Sequence, residues 1–193
     1  MPKVVCVARD SAALDALEAL LCEVSAKAVV YRADEPGTLL AVACLWLDRP
    51  DLVLAGRPLP CYLVEERVQI DGNLGPGAVV QVSLVHRLPG ASHGQFAEHW
   101  SSVHAPLARR HHPGLVRYVQ NVVVAALTPG AGDLDGVAEL GFGDERDLHE
   151  RRYDSPEGRA AVGRDVARFI DVPAGERLVA RLPFASGTGV KAR

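Results

Sequence analysis

His104, Tyr118 and Trp100 are the side chains whose types and spacing suit moving a proton to or from carbon. An imidazole both accepts and donates near neutral pH, which makes His104 the candidate general acid and base. A phenol can donate to a carbonyl oxygen, so Tyr118 could polarise a carbonyl or stabilise an enolate. Trp100 offers a flat wall on which a ring can stack. Around these three stand the candidate binding residues Phe96, His99, His86, Gln120 and Asn121.

The helix that must carry Trp100 and His104 starts at Ser92, where Ser92 and Gln95 have the spacing of a capping box. Phe96, Trp100, Val103 and Leu107 then fall on one face at ~100° per residue. Pro106 has no backbone N–H and biases Ala105 away from helix, so a break or restart is predicted directly after His104. Such a break would leave the imidazole facing a cavity; the plainer alternative is a histidine hydrogen-bonded in the core. Tyr118 and Gln120 share one face of their strand by period two, and Asn121 points the other way. For those three the alternative is packing and satisfied sheet groups. His86 alternates with Val80, Val82 and Leu84, and could complete a pocket or simply end a surface strand.

Other residues argue by what they lack. His111 and His112 follow Arg109 and Arg110 near a helix end, where positive charge suits the helix dipole. Adjacent histidines on a helix cannot both face one metal, so no metal is expected. Cys6, Cys22, Cys44 and Cys61 show no metal-ligand spacing and sit among apolar neighbours, as core thiols do. There is no G-x-S-x-G elbow and no G-x-G-x-x-G after a strand. Nothing calls for a nucleotide or another cofactor.

Composition narrows the class further. The 193 residues suffice for one domain or two compact ones, and a hydrophobic fraction of 48% supports a core. A net charge of −3 without a dense basic run argues against nucleic acid. No stretch approaches the ~18 apolar residues of a membrane span, and no secretory leader is read, so a cytoplasmic location is expected.

Asp71 to Gly77 is dense in Gly and Pro and divides the chain. Before it, strands are expected at Lys3 to Ala8, Ala28 to Arg32, Leu39 to Leu47 and Cys61 to Ile70. A helix is expected from Ser11 to Val24, capped by Asp10 or Ser11, and a short helical turn from Asp51 to Ala55. After it, strands fall at Val79 to Arg87, Val116 to Ala125, Gly136 to Phe142 and Arg177 to Leu182. Helices there cover Ser92 to Val103 and Pro156 to Phe169. The order β-α-β-β-α-β folds into an antiparallel sheet with both helices on one face. The fold class is therefore α+β, with two ferredoxin-like units in tandem, pairing sheet to sheet as an α/β barrel. The expected division is 1–72 for a degenerate first half, 73–77 for the joint, 78–186 for the second domain and 187–193 for a flexible tail.

The second half resembles the EthD-like family of the dimeric α/β-barrel superfamily. The residues that carry the resemblance are Trp100, Val103-His104-Ala105-Pro106-Leu107, Pro113-Gly114-Leu115 and Arg117-Tyr118-Val119-Gln120-Asn121. Asp135-Gly136-Val137-Ala138-Glu139-Leu140, Ser155-Pro156-Glu157-Gly158 and Phe169-Ile170-Asp171 follow in the same order. The resemblance implies an apolar pocket between helices and sheet, with His104 at a pocket position. It also implies a hydrophobic small molecule as partner, and either a homodimer or an intrachain pseudo-dimer. Relatives of this barrel include cofactor-free cyclases, isomerases and decarboxylases of polyketide and lactone chemistry. The leading expectation is thus a cofactor-free lyase or isomerase acting on an oxygenated ring compound. A non-catalytic binding module and a haem-binding barrel, with His104 as axial ligand, are the alternatives.

Overall fold

The computed structural model describes residues 1–35 and 37–182. In the first half, strand β1 is Lys3–Ala8, helix α1 Ser11–Glu23, β2 Lys27–Arg32, β3 Ala41–Trp46, α2 Pro50–Val53 and β4 Cys61–Asp71. In the second, β5 is Val79–Val85, α3 His93–His99, α4 Ala105–His111, β6 Leu115–Ala126 and β7 Gly136–Phe142. Helices α5, Glu145–His149, and α6, Pro156–Val166, lead to β8, Glu176–Arg181. The expected tail at 187–193 lies outside the described residues.

All eight strands belong to one antiparallel sheet in the order β2-β3-β1-β4-β6-β7-β5-β8. Each half contributes its own strands in the same sequence, second-third-first-fourth, which is the ferredoxin-like order. The halves join along β4 and β6, the longest strands, from Tyr62 opposite Ala126 to Asp71 opposite Arg117. At the far edge the sheet curls back until the residues after β2 meet β8. There the Asp34 N–H donates to the Val179 carbonyl at 2.9 Å, and the Arg181 N–H to Asp34 Oδ1 at 3.2 Å. The near-closed barrel is thus completed inside one chain.

Alternation along the strands divides the apolar residues between two layers. Val5 and Val7 of β1 face the barrel interior with Val80, Val82, Leu84 and Val137. Val4, Cys6 and Ala8 face outward onto Leu17 and Leu20 of α1, where Leu54 and Leu59 fill the remaining space. Asp10 starts α1 by accepting from the Ala13 N–H at 2.8 Å. Where the sequence suggests apolar surroundings for all four cysteines, Cys22 is exposed, because it lies on the solvent side of α1.

One polar network crosses the barrel interior. Glu139 of β7 receives Lys3 Nζ at 2.9 Å, Tyr31 Oη at 2.6 Å and Asn121 Nδ2 at 2.8 Å. Lys3 also meets Glu66 at 2.6 Å. Burial pushes the Glu139 carboxyl up, but Lys3, Tyr31 and Asn121 outweigh it and hold the group below the ordinary carboxylate value. Burial likewise lowers Lys3, and its acidic neighbours reverse that, so both partners stay charged. Because Lys3 and Tyr31 belong to the first half and Glu139 to the second, the network ties the two together. Lys3→Met leaves the Glu139 charge buried without its cation, and should cost about 3–5 kcal/mol in denaturant unfolding. A loss below about 1 kcal/mol would show that the network contributes little to stability.

Candidate active site

The site lies on the outer face of the second half, between the sheet and helices α3, α4 and α6. Ser92 starts α3 through the full capping box with Gln95. Of the expected break or restart after His104, the chain does not break, but α-helix restarts at Ala105. Trp100–His104 form one π-helical turn that runs straight into α4, and Ala105 is helical at φ −63° and ψ −43°. The Ala105 N–H bonds the Trp100 carbonyl, five residues back. This wider turn tolerates Pro106, which has no N–H and would otherwise crowd the preceding turn.

The π-turn also corrects which residues face inward. Its extra residue advances the buried positions from Val103 and Leu107 to His104, Ala105 and Ala108. Val103 is 47% exposed, whereas His104 is 8% exposed. A side chain that a regular helix would leave at the border is thereby turned into the domain.

His104 finds a buried partner there. Its Nδ1 lies 2.9 Å from Oδ2 of Asp165, and His99 Nε2 lies 2.9 Å from Oδ1 of the same carboxylate. A carboxylate accepts, so His104 donates through Nδ1–H and keeps Nε2 as its basic nitrogen. Asp165 is 4% exposed and sits in the last turn of α6, where an acid opposes the helix dipole. Its position is explained by the two imidazoles and not by the stability of its own helix. Burial lowers the His104 pKa below the ordinary imidazole value, only partly countered by Asp165, which keeps the ring neutral near pH 7.

Tyr118 occupies the sheet side. Its hydroxyl oxygen accepts from Trp100 Nε1 at 3.0 Å and from Gln120 Nε2 at 2.9 Å. With that oxygen already accepting twice, the phenolic proton is free to be donated. Burial pushes the Tyr118 pKa up to about 12, so the group stays protonated and acts as a donor.

Trp100, His104 and Tyr118 line a common cavity of about 420 Å³, within the range of small-molecule sites. Leu140, Val162, Val166 and Ile170 supply apolar wall, and Gln81, His112, Arg152 and Arg177 supply polar wall. The other candidate binding residues are placed elsewhere. Phe96 stands behind Trp100, ring centroids 5.2 Å apart, and His99 stacks on Phe169 at 4.6 Å. Gln120 is outside the cavity wall and supports it from behind, donating to the Trp100 carbonyl at 2.8 Å and to the Tyr118 hydroxyl at 2.9 Å. Asn121 faces the barrel interior, bound to Glu139 and to the Val137 carbonyl. His86 lies just past the end of β5 and is outside the cavity wall.

Several site residues escaped the sequence reading. His112 is not at an exposed helix end but buried against Tyr153, with Nδ1 bonded to the Arg152 carbonyl. Asp165 did leave a signal: with Gly158 and Val162 it forms the buried face of α6 at spacings of four and three, an acid on an apolar face. Gln81, Arg152 and Arg177 left none, since only the tertiary fold brings them to one cavity.

The stretch from 88 to 173 matches the family model described as EthD domain. A solved structure described as an anthrone oxidase-like protein aligns over 100% of this chain and 95% of its own, with a TM-score of 0.65 at 12% identity. An ethyl tert-butyl ether D (EthD) family protein from Bacillus halodurans aligns over 53% of this chain and 96% of its own, with a TM-score of 0.42 at 24% identity. No curated protein matches the chain. The chain folds as an α+β protein whose eight antiparallel strands form one nearly closed, barrel-like sheet. Among the described residues no helix is long and apolar enough to cross a membrane.

Gly136, at the start of β7, admits the Trp100 indole, because a Cβ there would lie 2.8 Å from Cη2 and closer still to Cζ3. Gly136→Ala should therefore displace Trp100 and break its bond to Tyr118. The expected cost is about 1–3 kcal/mol in denaturant unfolding, with a changed tryptophan emission. Unchanged stability and emission would mean that the indole is not seated as described.

Proposed function

We propose that the protein is a cofactor-free acid/base enzyme, a cyclase, isomerase or decarboxylase acting on a hydrophobic oxygenated ring compound such as a polyketide-like intermediate or lactone. The observation that carries this reading is His104, held by Asp165 with Nε2 as its basic nitrogen, on the wall of a cavity that Tyr118 also lines. In the common first step, Nε2 of His104 takes a proton from a carbon conjugated to a carbonyl. The electron pair of that C–H bond passes into the ring system and onto the carbonyl oxygen, giving an enolate to which Tyr118 donates. Asp165 stabilises the imidazolium so formed. Returning the proton at another carbon is an isomerisation, and attack of the enolate on a second carbonyl is a cyclisation. Loss of a neighbouring carboxylate as CO2 reaches the same enolate. Trp100 and the apolar wall hold the ring and exclude water.

The neighbour described as anthrone oxidase-like suggests a probe, since anthrone carries a carbonyl and an acidic CH2 across one ring. Deuterium uptake at that carbon, followed by NMR in anaerobic D2O, reports the proton transfer alone. The wild-type protein should accelerate it at least ~10²-fold over buffer. His104→Gln should remove that acceleration, while Tyr118→Phe and Asp165→Asn should each reduce it by about tenfold or more. Since burial lowers the His104 pKa, the acid limb of the rate profile should fall below pH ~6.5, with full activity above it. Saturable binding without exchange would make the protein a binding module instead. Exchange that survives His104→Gln would remove His104 as the base.

A further inference from the structure

The cavity has a charged end that the proton transfer does not use. Arg152 and Arg177 both line it, Arg152 beside His112 at the end of α4 and Arg177 on β8. Arg152 is half-buried and held from two directions. Its Nη1 donates to Gln81 Oε1 at 2.7 Å, and its backbone carbonyl accepts from His112. Gln81 in turn donates from Nε2 to Ser83 Oγ at 3.0 Å. Ser83 stands opposite Arg177 in the β5–β8 ladder. The two guanidinium-bearing residues are therefore joined through one polar strip on the cavity floor, Gln81 and Ser83.

Neither arginine has a carboxylate partner among the described residues. The acid in the same wall, Glu176, is already engaged by Arg9 at 2.8 Å. Asp165 is occupied by its two histidines. His104 and His112 are both held neutral near pH 7 by burial. The cavity thus carries two uncompensated positive charges beside an apolar wall. A half-buried guanidinium bonded only to a neutral amide keeps most of its donors for something else, and its planar fork matches a carboxylate with two parallel hydrogen bonds.

We propose that the ligand of this cavity is a ring acid, its carboxylate gripped by Arg152 and Arg177 while its ring packs against Trp100, Leu140 and Ile170. The proposal rests on the reading of the cavity as the substrate site and adds the group by which substrate is oriented. Anchoring the anion at the Gln81–Ser83 end fixes which ring carbon is presented across the cavity to His104.

The test compares 9-anthracenecarboxylate with 9-anthracenecarboxamide, two fluorescent ring compounds of nearly equal size. Wild-type protein should bind the carboxylate about tenfold more tightly, with an advantage that shrinks as salt rises. Arg152→Gln and Arg177→Gln should each weaken carboxylate binding several-fold and leave carboxamide binding within twofold. Arg177 is exposed, so its variant keeps the fold even where Arg152→Gln disturbs Gln81; Arg152→Lys, which keeps the charge but not the fork, should fall between. Equal affinity for both compounds in the wild type would overturn the proposal while leaving the pocket intact. So would tight carboxylate binding that neither variant changes. Binding of neither compound would overturn the proposal together with the substrate-site reading beneath it.

Discussion

Asp165 is the constraint on which the site depends. One buried carboxylate at the end of α6 takes a hydrogen bond from each of two imidazoles on the opposing helix. It therefore joins the two helices that cover the sheet, and it fixes which nitrogen of His104 is basic. The π-turn at Trp100–His104 is the matching device on the other side. Without its extra residue the inward positions would be Val103 and Leu107, and Asp165 would keep His99 but lose His104. A π-turn is a costly local geometry that often appears where a site needs one side chain turned.

The two halves share a topology but spend their outer faces differently. In the first half, α1 meets the sheet through Leu17 and Leu20, and Leu54 and Leu59 complete an apolar layer. Its second helix is reduced to the four residues of α2. In the second half, the longer helix pair stands off the sheet far enough to leave a cavity, with Trp100, His104 and Tyr118 on its wall. The barrel interior between them is a core to which both halves contribute. There Glu139 accepts from Lys3 and Tyr31 of the first half and from Asn121 on the neighbouring strand. Buried charges of this kind are tolerated because each has several hydrogen-bonding partners.

Most of the strand and helix order was legible from periodicity, because each strand alternates between two buried layers and each long helix has one apolar face. The capping box at Ser92 and the N-cap at Asp10 were legible for the same local reason. What escaped was non-local or irregular. A helical wheel assumes a constant 100° step, and the π-turn breaks that step, so Val103 falls on the expected inner face while His104 takes that place in the structure. Pro106 was read as a helix breaker, although a wide preceding turn removes the clash that makes it one. The pairing of Asp165 with His104 spans 61 residues and depends on how α6 packs. Arg152 reaches the cavity only because His112 and Gln81 hold it there, and neither contact has a trace in sequence spacing.

The site's chemistry depends on His104 being a neutral, oriented base, and histidine nitrogen NMR measures that directly. A long-range 1H–15N correlation spectrum at pH 7 should show His104 protonated at Nδ1 and bare at Nε2. Asp165→Asn should disturb that pattern, since an amide can present its NH2 to the ring. A ring protonated at Nε2 alone, or doubly protonated at pH 7, would contradict the account, because His104 would then have no basic nitrogen to offer the cavity.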